Sequence, residues 1–169
     1  TFAHNALIGV GLRDRIRIGA SGKITSAFDM ARVMALGADW CNAARGFMFA
    51  VGCIQAQACH TGMCPTGVTS QDPLRQRAVV VPDKAERVVN FHRNTLHALG
   101  ELVAAAGLSH PSELRPHHFN RRGNSDSVIS FADQYEQLQP GQLLVDPASS
   151  PRFSGPWKQS TAASFDRVS

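Results

Sequence analysis

Three cysteines fall within twelve residues, at 53, 59 and 64, and a fourth stands alone at 41. Thiolate is a soft ligand that selects zinc or iron–sulfur centres, so a tight thiol cluster is read first as metal chemistry. Cys59 is followed by His60 and Cys64 by Pro65, while Gly62 and Gly67 flank the last thiol. Small and turn-forming residues let the backbone wrap a cluster and aim its N–H groups at sulfur. Cluster iron normally takes four thiolates. Three of them suit a cluster lacking one corner iron, the three-iron four-sulfur type. Zinc with His60 as fourth ligand is a second reading, and unliganded thiols are a third. Spacing alone leaves all three open. Cys41 belongs to an expected strand and is read as a buried structural thiol, although in principle it is a fourth ligand.

The elements that position these residues alternate between strand and helix. Leu7 to Leu12 is an apolar run, and residues 15–18 alternate polar and apolar as a short strand does. A small-residue turn follows at 19–23. Ser26 with Asp29 resembles a capping box for a helix rich in Ala31, Val33, Met34, Ala35 and Leu36, which Gly37 ends. A second strand is expected over 39–44, then a turn at Arg45-Gly46 and a helix over 47–57. Strand, turn, helix, strand, turn, helix is a parallel α/β pattern. Parallel strands are normally buried on both faces, so two strands ask for upstream strands beside them, and the chain is expected to be a fragment of a longer protein.

Residues 53–71 read as a loop. Beyond Pro82 comes the longest helical pattern, with Val88, His92, Leu96, Leu99, Leu102, Val103 and Ala106 at three- and four-residue steps, stopped by Gly107. Pro111 suits the first turn of a short helix. After Arg122 the chain is rich in Ser, Gln, Pro and Gly and is expected to be largely irregular, anchored by Tyr135, Leu143, Leu144, Trp157 and Phe165. The expected divisions are 1–71, 72–122 and 123–169.

Composition removes several classes of function. The 169 residues are 43% hydrophobic and 18% charged, ordinary for a soluble globular protein. No stretch approaches the roughly 20 apolar residues of a membrane-spanning helix. The net charge of +4 is spread over scattered arginines without aromatic interleaving, which argues against a nucleic-acid interface. Closely spaced cysteines are unlike a secreted disulfide scaffold and fit a reducing compartment, so the expected location is cytoplasmic.

The segment from Gly52 to Gln71, with Cys59-His60 and Cys64-Pro65-Thr66-Gly67-Val68 in place, resembles the iron–sulfur segment of FMN-dependent glutamate synthases. The stretch from Ala20 to Asp29, and Leu36 to Asp39, is similar to that family's flavin-phosphate region. Ser21-Gly22-Lys23 stands where the family usually shows Asp-Gly-Gly, and Ala44-Arg45 replaces the more usual Gly-Thr.

The resemblance implies the last two β/α units of a parallel eight-stranded TIM barrel, followed by the cluster loop, a long helix and the tail. Barrel phosphate sites commonly form from the loops after strands 7 and 8. By this likeness Ser21, Gly22, Lys23, Ala44 and Arg45 line the FMN phosphate site, and Cys53, Cys59 and Cys64 hold a 3Fe-4S cluster. His60 then packs near a sulfide. The implied enzyme forms L-glutamate from 2-oxoglutarate and ammonia or glutamine-derived nitrogen. Its electrons come from ferredoxin or a pyridine-nucleotide-dependent partner and reach FMN by way of the cluster. No residue of this segment is assigned as acid or base. If Cys41 is a strand thiol, Cys41→Ser leaves the iron and sulfide content of the full-length protein near wild type, and loss of both would make Cys41 a ligand.

Overall fold

A computed structural model describes residues 1–123 and 127–166. In chain order the regular elements are α1 (Phe2–Gly9), β1 (Gly19–Ser21), α2 (Ala27–Ala35), β2 (Trp40–Asn42), α3 (Ala44–Val51), α4 (Pro73–Gln76), α5 (Val81–Ala105), β3 (Asn120–Arg122), β4 (Val128–Ser130), α6 (Phe131–Gln134), α7 (Gln142–Val145) and α8 (Pro151–Lys158). This is an α/β arrangement with two small sheets, β1 parallel to β2 and β3 antiparallel to β4. No helix among the described residues is long and apolar enough to cross a membrane. The chain divides into two units. One holds residues 19–35 and 40–114, and the other holds 1–18, 36–39 and 115–169.

In the first unit, β1 and β2 run in parallel register, Gly19 opposite Trp40, Ala20 opposite Cys41 and Ser21 opposite Asn42. Each strand feeds a helix, and α5 packs along both α2 and α3. The core between them is Ile24, Ala27, Ala31, Ala35, Leu99, Val103 and Leu114. Alanines at every fourth position of α2 let the long helix approach closely. Phe47 of α3 meets Phe91 of α5 edge-on, at 5.2 Å between ring centres. Position 46 has no room for a side chain: an added Cβ would sit 2.7 Å from Phe91 Cζ.

That contact corrects the expected turn at Arg45-Gly46. Gly46 is a helical residue kept small by packing, and α3 begins at Ala44. The helix also ends earlier than the expected 57, because Gly52 takes a left-handed conformation at φ +117°. The α2 capping box is present in both directions: the Asp29 amide donates to Ser26 Oγ at 3.2 Å, and the Ser26 amide donates to the Asp29 carboxylate at 3.1 Å. The long helix stops as its Gly107 signal indicates, with Gly107 at φ +73°.

In the second unit the tail carries more structure than its composition suggests. Leu138, Leu143 and Phe153 are buried against Ala6, Ile8 and Val10, so the tail folds onto α1. Asn5 fastens it. Its side chain is 2% exposed, donates to the Glu136 carbonyl at 2.6 Å and accepts from the Leu138 amide at 3.4 Å. Among the expected anchors Leu143 is buried, but Leu144 and Phe165 face solvent. The true anchors include Phe131 and Phe153, both buried. Residues 124–126 and 167–169, part of the expected irregular tail, lie outside the described residues.

The strand expected at 15–18 is displaced to Gly19–Ser21. Arg13 to Arg15 form a tight turn instead, held by Asp39. Arg13 Nη2 lies 2.8 Å and Arg17 Nη1 3.3 Å from its carboxylate, and the Ile18 amide donates to it at 2.6 Å. The Ile18 N–H is thereby spent on a side chain rather than on a strand ladder. Burial works against the charged carboxyl of Asp39, but the Ile18 amide and then Arg13 outweigh it and hold its pKa below the usual range. A depressed carboxylate contributes stability above its unfolded pKa, and that contribution is lost as pH falls through the folded value. Asp39→Asn is therefore expected to destabilise the protein by about 1–3 kcal/mol near neutral pH and by less below pH ~4. Thermal melts at both pH values check this, and an equal loss at both would contradict it.

Candidate cofactor site

Parallel pairing places the loops that leave β1 and β2 side by side, at the carboxyl ends of the strands. The β1 loop carries Ser21, then Gly22 at φ +99° and Lys23 at φ +55°. The β2 loop is a single residue, Ala43, after which α3 begins. The two helices that follow differ at their N-termini. That of α2 is closed by its own acid: the Asp29 carboxylate accepts from the amides and hydroxyls of both Thr25 and Ser26. That of α3 has no side-chain cap. The amides of Ala44, Arg45 and Gly46 belong to the first turn and have no acceptor within the helix. Free amides and the positive end of the helix dipole suit an anion. Ser21, Gly22, Lys23, Ala44 and Arg45 are all exposed.

At its other end, α3 fixes the first thiol. The Cys53 amide donates to the Met48 carbonyl at 3.0 Å, and the Gly52 amide donates to Phe49 at 3.0 Å. This paired closure seats Cys53 one residue past the left-handed glycine. The chain then kinks twice, with Gln55 at φ +58° and Gln57 at φ +56°. Non-glycine residues rarely adopt this conformation, which is concentrated at functional sites. The first kink turns the Gln55 amide back onto Cys53 Sγ, 3.5 Å away. Cys59 opens a short turn closed by Gly62 at φ +72°. Cys64 is buried, with the Thr66 hydroxyl 3.5 Å from its sulfur. Hydrogen bonds from that hydroxyl, and next from the Thr69 backbone, lower the Cys64 pKa to about 6.

Cys53, Cys59 and Cys64 line one cavity with Ile54, Ala56, Ala58, Thr66 and Val68. Among the described residues no three His, Cys, Asp or Glu side chains are gathered tightly enough to share one metal ion. A donor set of three soft thiolates, with small neighbours and N–H or O–H groups aimed at sulfur, fits an iron–sulfur core in which each thiolate takes its own iron. His60 is exposed on the Cys59 turn and is not part of this lining. Cys41 lies in β2, half-buried, with its sulfur 4.0 Å from the Met30 carbonyl, and burial pushes its thiol pKa up.

Several contributors carry no obvious mark in the sequence. The kinks at Gln55 and Gln57 have none, since glutamine is an ordinary residue in an ordinary place. Thr66 and Thr69 stand in a run of small hydroxylic residues that does signal local hydrogen bonding. Ser70 ties the loop together. Its buried hydroxyl donates to the Gly62 carbonyl at 2.7 Å and accepts from the Asp72 amide at 3.1 Å. Asp72 in turn caps α4, accepting from the Leu74 amide at 2.9 Å.

A family profile described as the conserved region in glutamate synthase matches residues 1–109, a span containing both strands of the parallel pair and all four cysteines. The chain is 42% identical over 128 residues to the glutamate synthase large subunit-like protein of Bacillus subtilis, covering 76% of this chain and 24% of that relative. It is 35% identical over 113 residues to the archaeal NADPH glutamate synthase of Methanocaldococcus jannaschii, covering 67% and 22%. It is 41% identical over 108 residues to ferredoxin-dependent glutamate synthase 1 of Arabidopsis thaliana, covering 63% and 6%. The chain therefore spans at most 24% of the length of these relatives.

The Ser70 hydroxyl generates a prediction. Ser70→Ala leaves the Gly62 carbonyl and the Asp72 amide without their partner, at about 1–3 kcal/mol. The loss is expected as faster amide exchange confined to residues 59–76. Unchanged protection there would show that the loop is held by something else.

Proposed function

This chain belongs to the glutamate synthase family, and from that premise we propose that it supplies the iron–sulfur ligands and one wall of the flavin-phosphate site of such an oxidoreductase. The observation that carries the reading is that Cys53, Cys59 and Cys64 line one cavity, reached from the C-terminal end of a helix whose N-terminal amides have no side-chain cap. In this reading β1 and β2 with their helices are the last two units of a parallel barrel, within 1–71. The stretch 72–122 buttresses them through α5, and 123–169 is an accessory tail. The setting is cytoplasmic.

Each group then has a defined task. The first-turn amides of α3 and the Gly22-Lys23 loop would hold a phosphate dianion, FMN's in this family, with Lys23 adding charge. Cys53 is held by the end of α3, Cys59 by its own turn, and Cys64 by Thr66 and Thr69. These thiolates would bind a three-iron four-sulfur cluster, and the Gln55 amide supports the Cys53 sulfur. When bound, the two cofactors supply one-electron relay and hydride-type reduction of the substrate. The protein sets their separation: α3 has 8 residues and is about 12 Å long at 1.5 Å per residue. A rigid helix thus fixes the distance between the phosphate side and the thiol side. The reaction proposed for the whole enzyme is reductive formation of L-glutamate from 2-oxoglutarate and ammonia or glutamine-derived nitrogen. Ferredoxin or a pyridine-nucleotide-dependent partner is its electron source.

The test is Cys59→Ser in the full-length protein, because a three-thiolate site has no spare ligand. The variant is expected to lose its iron and labile sulfide and its donor-driven flavin reduction, while an artificial reductant still reduces the flavin. Undisturbed donor-driven activity, with one zinc per chain in the wild type, would instead make the thiols a structural zinc module.

A further inference from the structure

Arg45 stands in the first turn of α3 and lines a pocket together with Met48, Phe49, Cys53, Gln55, Gln57 and Cys59. Two of the three clustered cysteines therefore share a pocket with an arginine. Arg45 forms no ion pair with a carboxylate among the described residues. The other side chains of the pocket are neutral, so no acid there offsets its charge. A fixed cation beside a thiolate-bound centre favours whichever oxidation state is more negative, and a centre becomes more negative on reduction. Net charge and surroundings set the potentials of such centres over a wide range.

We infer that the Arg45 side chain is a positioning residue for electron entry, raising the reduction potential of the centre held by Cys53, Cys59 and Cys64. Its backbone amide remains with the phosphate side, so one residue faces both ends of the relay. This inference rests on the ligand assignment proposed above. It concerns a position where the resemblance noted a departure, Ala44-Arg45 in place of Gly-Thr, and it gives the departure a consequence.

The experiment is a potentiometric titration of the full-length protein followed by the EPR signal of the oxidised cluster. Wild type is compared with Arg45→Gln, Arg45→Lys and Arg45→Glu. Arg45→Gln is expected to lower the reduced-to-oxidised ratio about tenfold at a given potential, a downward shift of about 59 mV for one electron. Arg45→Lys keeps the charge and stays near wild type, and Arg45→Glu shifts further downward. Wild-type potentials in Arg45→Gln and Arg45→Glu, with the signal intact, would overturn the Arg45 assignment and leave the ligand assignment standing. Absence of the signal in wild type would overturn both.

Discussion

The amide of Cys53 donates to the carbonyl of Met48, and the amide of Gly52 to that of Phe49. This closure at the end of α3 is the constraint on which the rest of the site depends. It requires a residue at φ +117°, which only glycine adopts without strain. It decides that the helix stops after Val51, so that Gly52 turns the chain out of the helix and Cys53 follows as the first thiol. A helix running to 57 would have swallowed Cys53 and turned it to a packing face. Because the opposite end of the same helix carries uncapped amides, one short rigid element joins those amides to the first thiol.

The contrast between α2 and α3 follows from one residue. Asp29 lies one turn into α2 and satisfies the amides and hydroxyls that would otherwise face the loop after β1. It leaves that helix neutral towards a phosphate. No comparable acid exists in the first turn of α3. The close packing of Gly46 on Phe91 holds this end of α3 against the long helix, which fixes the direction in which its amides point. Packing in the core and the direction of the uncapped amides are thus set by the same turn.

Local signals were legible and long-range ones were not. Ser26 and Asp29 announce their helix start because the capping contact spans three residues. Gly107 ends its helix for the same reason, and the cysteine spacing sits within one short loop. By contrast Gly46 reads as a turn, since a glycine kept small by a ring 45 residues away looks the same as one kept small for its φ. The tail reads as irregular because its fastening is Asn5, more than 130 residues distant in sequence. The early strand is misplaced because Asp39 takes the Ile18 amide out of any ladder. The kinks at Gln55 and Gln57 are imposed by closure of the thiol loop and have no sequence mark at all.

The family is carried by the match over residues 1–109, and the proposed chemistry rests on three thiols that line one cavity. What joins the two is the nature of the centre in that cavity. The most direct measurement is a combined visible and EPR spectrum of the full-length protein purified without oxygen, with iron and sulfide determined on the same sample. The account predicts flavin absorption, about three irons and four sulfides per chain, and an EPR signal of the oxidised protein that disappears on one-electron reduction. A colourless protein containing zinc and no sulfide would contradict it.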